Sequence, residues 1–441
     1  MPYQTLSVIV IALFLFISCN DERQRPHEDY VFGNPAGNGS RFPSLSAEED
    51  GSFYMSWLTR IEEEIFALEY ASFSDGSWQN PQTVHVGNDF FVSWADFPSV
   101  ATFAGDPVAF QWARKPETDS RDYSVQISFP REELRHWNHV SLPASGTASE
   151  QGFVTMLPLG RDRVLVTWME GNQLHNSDTD SDTDSGSEEE AALHSAVIHA
   201  DASIEHERVI DRTTCNCGPA DLVPVEGGAI AVYRGPAADG SRDIFLGRFD
   251  AETGSWSEPG TVFSGQGQGK AVGSPVHRPE AAAHGDNLAI AWHTEGEEDE
   301  GGMVRIVFSE DGGLSFSEPV VVSGGDADGR FDVAGAPDGS FYISWMERTR
   351  SFARIFLQKA EQSALTGEPV YIGSTDIGRN SGYPRLAALD DGIMVAWTQT
   401  TPFVQVRTGF YRYNMMERSG ENSGQANGPA DPQPDGSEPV E

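Results

Sequence analysis

Asp338–Glu347 reads DGSFYISWME, a tight turn followed by an alternating strand that ends on tryptophan, and the phrase recurs along the chain. Its relatives are Gly51–Arg60 (GSFYMSWLTR), Gly105–Arg114 (GDPVAFQWAR), Arg161–Glu170 (RDRVLVTWME), Gly227–Gly235 (GGAIAVYRG), Gly285–Thr294 (GDNLAIAWHT) and Asp391–Gln399 (DGIMVAWTQ). The aromatic anchors Trp57, Trp112, Trp168, Tyr233, Trp292, Trp345 and Trp397 are spaced by 55, 56, 65, 59, 53 and 52 residues. The longest interval contains an acidic insertion. Self-similarity at a fixed period marks a repeat architecture, in which one unit cannot bury both its faces alone.

Each anchor strand has companions. A strand precedes most of them, as at Phe42-Pro43-Ser44-Leu45, Phe97-Pro98-Ser99-Val100 and Tyr383-Pro384-Arg385-Leu386. A third strand follows, as at Ile65–Phe73, Ile244–Phe249, Arg305–Ser309 and Arg354–Lys359, and a fourth at Pro259–Phe263 and Pro319–Val322. Four strands per unit of about 55 residues is the pattern of a β-propeller. The expectation is an all-β propeller over residues 35–414 with seven blades, or six if the last repeat is only a closing strand pair. The seventh unit lacks an obvious fourth strand, and a segment near Asp29–Gly33 is expected to complete it.

Composition limits what such a propeller could do. Of 441 residues, 67 are acidic and 29 basic, for a net charge of −38. That surface repels phosphate backbones and anionic lipid, so nucleic acid is not an expected partner. Three cysteines exclude a disulfide-dense scaffold and a four-cysteine zinc site. Leu6–Ser18 (LSVIVIALFLFIS) is too short to span a membrane but suits a secretory signal over residues 1–18. Cys19 directly after Ser18 resembles a bacterial lipoprotein cleavage site, which implies acylation of Cys19, a polar tether over 19–34 and a cell-envelope location. Contact with membrane would then run only through the lipid. Residues 177–190 (SDTDSDTDSGSEEE) read as a solvated disordered loop, with weak calcium binding as the alternative, and 415–441 as a disordered tail.

Ser309-Glu310-Asp311-Gly312-Gly313-Leu314-Ser315-Phe316 resembles the Asp box, the perimeter turn of bacterial sialidases and related propellers. Ser40-Arg41-Phe42-Pro43 is similar to the Arg-x-Pro opening of the same family. Thr214–Asp221 (TCNCGPAD) resembles a Cys-x-Cys loop found in exported sialidase-like propellers of unassigned activity. The resemblance implies an arginine triad, for which Arg41, Arg278 and Arg385 are the candidates, each at the start of an inner strand. It further implies a tyrosine nucleophile, placed at Tyr383, primed by Glu347 or Glu170. Where the family has an acid/base aspartate, this chain has Glu62-Glu63-Glu64, which makes Glu62 the candidate.

The residues themselves suggest where a site should form. A propeller's mouth is built from loops entering the inner strands and loops leaving the second strands. Entering loops offer Arg41, Asp96, Arg278, Arg330, Asp332, Arg379 and Arg385; leaving loops offer Arg60, Arg114, Glu170, Arg234, His293, Glu347 and Arg348. Arginine forks suit carboxylates, so Arg41, Arg278, Arg385, Arg234 and Arg114 are expected to bind an anionic glycan. Pairing with the interleaved acids is the alternative, which leaves a non-catalytic scaffold gripping a protein partner. Cys215 and Cys217 could ligate a metal with His277, form a strained disulfide, or sit inert; no cofactor is otherwise required.

Overall fold

The computed structural model describes residues 34–48, 51–74, 76–116, 123–130, 137–143, 150–171, 190–215, 218–236, 242–264, 278–294, 302–361 and 363–413. The signal, the Cys19 tether, Cys217, His277, the acidic stretch before Glu190 and the tail from 415 onward lie outside them. Seven antiparallel sheets follow one another along the chain, and in each the strands are ordered outward as a meander. Seven blades, not six, is the count. The inner strands are Ser40–Ala47, Ser99–Phe103, Glu150–Pro158, Asp221–Val225, Glu280–His284, Ala327–Gly335 and Arg385–Ala388. Their partners are Phe53–Arg60, Asp106–Arg114, Arg163–Gly171, Gly228–Pro236, Asn287–Thr294, Phe341–Arg348 and Gly392–Gln399.

The repeated aromatics do what their spacing requires. Trp57, Trp112, Trp168, Tyr233, Trp292 and Trp345 are all 2% exposed or less, each filling the layer between neighbouring sheets. Second strands are buried on both faces and therefore read as nearly continuous apolar runs. Backbones approach closely there as well. A Cβ on Gly228 would come within 1.8 Å of the Phe249 carbonyl oxygen across the sheet. Gly228→Ala should cost about 1–3 kcal/mol through forced strand displacement, measurable as a lower denaturant midpoint with an unchanged slope.

The seventh sheet has three strands among the described residues. The expected closing segment, Asp29–Gly33, lies outside them, but the chain just after it does close the ring. Gly39 N donates to Val404 O at 2.8 Å, Gln405 Nε2 to Ala36 O at 3.1 Å, and Val406 N to Ser40 Oγ at 2.9 Å. Phe42 N adds a bond to Thr398 Oγ1 at 2.9 Å.

The perimeter turn at Ser309–Phe316 is held by its own side chains. Asp311 Oδ1 accepts from Leu314 N and Ser315 N, both at 2.9 Å, and Ser309 Oγ accepts from Gly313 N at 2.7 Å. Gly312 and Gly313 take φ of 69° and 83°, which a side chain would resist. Phe316 then packs onto the core shared by blades 4 and 5.

Inner strands carry a second device. Registers slip between Arg41 and Ser44, between Gly152 and Thr155, and between Ala327 and Phe331. Phe42 and Phe153 sit in the first two slips with φ of 55° and 53°. Bulges re-aim side chains, and both rings join one buried aromatic cluster with Trp94, Phe97 and Tyr383.

Candidate functional site

The inner strands of blades 4 to 7 deliver residues to one place, with Asp221, Glu280 and Arg385 opening the strands of blades 4, 5 and 7 and Asp332 lying within that of blade 6. Glu280 opens the blade 5 strand, and its carboxylate bridges two guanidiniums: Arg278, in direct contact, and Arg385 Nη1 at 3.0 Å. Arg385 Nε also lies 3.3 Å from Asp332 Oδ2. Two further carboxylates are locked onto backbone. Asp221 accepts from Ala281 N at 2.7 Å, and Asp332 accepts from Leu386 N at 2.6 Å. Three carboxylates and two arginines thus interlock across four blades.

Burial decides how these groups hold protons. Removal from water disfavours the charged form, and the Glu280 charge nearby adds to the effect. Asp221 is therefore pushed up to about 7, with the bond from Ala281 and the fields of Arg278 and Arg385 pulling the other way. Asp332 also rises to about 7 because burial and Glu280 together outweigh Arg385. For Arg385 burial works against the charge, but Asp332, Glu280 and Asp221 outweigh it and raise its pKa above the ordinary value.

A cavity of about 230 Å³ opens against this cluster, lined by Asp96, Phe97, Asp221, Arg278, Glu280 and Arg385 together with inner-strand residues of blades 1 to 3. Above it lies a stack of rings and cations. Arg278 sits 4.5 Å over the Tyr383 ring and 5.6 Å over Phe97, and Arg385 is 5.9 Å from Phe97. Trp94 stacks on Tyr383 at 5.9 Å and 10°, with Arg379 on the Trp94 ring at 5.7 Å. Arg330 anchors the turn bearing these groups through Asp328, Ser381 Oγ and the carbonyls of Ile377, Gly378 and Gly382.

The structure brings some of the expected residues together and separates others. Arg278, Arg385 and Tyr383 meet. Arg41 instead lies 5.9 Å over Phe66, its pKa lowered by burial and by Arg60. Arg114 pairs with Asp89 at 2.9 Å. Tyr383 is buried, and that burial raises its hydroxyl pKa. Glu347 is taken by Ser323 Oγ, Trp345 Nε1 and Arg354, while Glu62 is exposed on a hairpin. No contact among the described residues joins Tyr383, Glu347 and Glu62. The arginine-rich mouth therefore takes a different form: the two central guanidiniums are already matched by carboxylates. Cys215 closes the strand Ile204–Cys215, and no group of three potential metal ligands occurs among the described residues.

No family pattern matches the chain, and neither does any curated protein. Several solved structures do. An α-L-arabinofuranosidase from Fusarium graminearum, bound to an iminosugar inhibitor, is 12% identical over 89% of this chain and 96% of that one, with a TM-score of 0.44. The NanB sialidase of Streptococcus pneumoniae is 10% identical over 88% and 70%, with a TM-score of 0.42. Trypanosoma rangeli sialidase with sialic acid is 14% identical over 86% and 61%, with a TM-score of 0.43. By its own strand order the chain is a seven-bladed β-propeller. The likeness carries no residue role from those proteins to this propeller.

Asp221 and Glu280 were not among the residues singled out from the sequence. The signal was present: Pro219-Ala220-Asp221 and Arg278-Pro279-Glu280 each set an acid at the start of an inner strand, just after a proline.

Proposed function

We propose that this propeller binds a glycan in its central cavity and hydrolyses a glycosidic bond there, with Asp221 as the proton donor and Glu280 as the facing carboxylate. The observation that carries the reading is the pairing itself. A buried carboxyl that keeps its proton near pH 7 stands beside a carboxylate held by two arginines, and both line one cavity. Glycoside hydrolysis needs two carboxyl groups whose environments set them apart, one to protonate the leaving oxygen and one to meet the sugar carbon or its water. Phe97 supplies an apolar wall for a sugar face, as ligand cavities generally do. Arg278 and Arg385 are occupied by Glu280 and Asp332, so they orient the carboxylates as well as offering their remaining N–H groups to sugar oxygens.

The reading extends to anionic sugars, the class expected from the sequence, because the same guanidiniums can share a ligand carboxylate. Binding of the full-length protein to a glycan panel with neutral and acidic termini tests it. Saturable binding to one terminal sugar that weakens at least tenfold in Glu280→Gln supports the site. Equal binding by both proteins places the glycan elsewhere, and no binding to any panel member overturns the reading.

A further inference from the structure

Three neighbouring hairpins carry exposed apolar side chains on the face toward which the second strands run. They join the second and third strands of blades 6, 7 and 1, at Arg348–Ala353, Gln399–Gln405 and Arg60–Phe66. Phe352 is 43% exposed, Phe403 68% and Ile61 55%. One glycine separates the last two tips: Arg60 N donates to Gly39 O at 3.2 Å, and Gly39 N to Val404 O at 2.8 Å. The turns are held by their own bonds. Thr349 N donates to Phe352 O and Ile61 N to Ile65 O, both at 2.8 Å. Arg60 Nε and Nη2 reach the carbonyls of Glu62 and Glu63 at 3.2 and 3.0 Å. Docking turns already fixed in this way costs little chain entropy.

Charge changes sign along this arc. The blade 6 hairpin presents exposed Arg350 and Arg348, the latter keeping 59% of its side chain exposed beside Asp328. The blade 7 hairpin, Gln399–Gln405, has no charged residue. The blade 1 hairpin presents Glu62, Glu63 and Glu64, all exposed. The order is therefore basic, apolar, acidic, with an exposed apolar side chain at every station. A two-fold axis through Phe403 lays blade 6 of one copy over blade 1 of the other. Arginines then meet glutamates twice, Phe352 meets Ile61 twice, and Phe403 meets its own copy. That reciprocity is what an isologous interface requires. A partner of one charge sign would be attracted at one flank and repelled at the other. The net charge of −38 opposes approach, but at physiological salt screening confines that repulsion to about 8 Å.

We propose that the arc of blades 6, 7 and 1 is a homodimer interface, with Phe403 on the two-fold axis and the blade 6 arginines against the blade 1 glutamates of the second copy. Three hairpins make a contact at the small end of specific interfaces, which bury about 800 Å² per partner, so the dimer is a reversible one. It does not rest on the glycan reading.

Sedimentation equilibrium of the full-length protein, from about 1 to about 200 µM, tests the proposal; the expected Kd is on the order of 10 µM. Phe403→Asp should weaken the dimer at least tenfold, because it sets two like charges together at the axis. Two charge variants read the pairing itself. Arg350→Glu/Ser351→Glu makes both flanks acidic, and Glu62→Lys/Glu63→Lys/Glu64→Lys makes both basic. Each alone should stay monomeric, and an equimolar mixture should dimerise one to one. All the substituted side chains are exposed, so an unchanged Tm is expected of each variant. A monomer across the whole concentration range overturns the proposal. So does a dimer that Phe403→Asp leaves intact, or a pair of folded charge variants that stay monomeric when mixed.

Discussion

Arg330→Met should lower unfolding stability by about 3–5 kcal/mol, the cost of breaking a buried charge pair from one side. Arg330 is 2% exposed and directs both edges of its guanidinium at fixed partners. Nε and Nη2 reach Asp328 at 3.0 and 2.6 Å, and Nη1 reaches Ser381 Oγ at 2.6 Å. Three carbonyls of the 377–382 turn complete the set. Methionine matches the stem but leaves Asp328 with Arg348 alone, at 3.2 Å, and the carbonyls bare. Denaturant unfolding followed by tryptophan fluorescence reads the loss. Removing both charges in Arg330→Met/Asp328→Leu should recover part of it, because the stranded carboxylate causes much of the cost. A double variant as unstable as the sum of both single changes would contradict that account.

Asp221→Asn should reduce turnover of a cleaved glycoside by about 10²–10⁴-fold, the usual contribution of a positioned general acid. Asparagine keeps the shape and can still accept from Ala281 N, so folding should survive. The pH dependence carries a sign. Asp221 and Asp332 have folded pKa values of about 7, raised from 3.8. The folded protein therefore binds protons that the unfolded chain releases, and stability falls as pH rises from about 4 to about 7. Turnover that needs the Asp221 proton should fall over the upper part of the same range. Asn at 221 should flatten part of the stability decline, since Asp332 still titrates. An unchanged stability profile in Asp221→Asn would mean that this carboxyl is ionised throughout.

The fold was legible because its cause is local and repeated. A tryptophan or tyrosine every 52 to 65 residues, set after a turn and an alternating strand, has few other uses than filling equivalent inter-sheet layers. The site was legible only in part. Arg278, Arg385 and Tyr383 were found because each lies at or just before an inner-strand start, where a propeller directs residues to its axis. Their partners were not, since Glu280 and Arg385 are 105 residues apart and meet only through ring closure. Glu347 shows the reverse error. Its position after Trp345 suggested a mouth-facing acid, but the Trp345 indole N–H claims it at 3.0 Å.

The acid role of Asp221 is tested by the pH–rate profile of glycoside hydrolysis by the full-length protein, over a panel of aryl glycosides and natural glycans, beside Asp221→Asn. Turnover of at least one terminal sugar is expected, with an alkaline limb near pH 7 that is lost with most of the rate in the variant. Turnover that is indifferent to the substitution, or none on any sugar that the cavity binds, would contradict it.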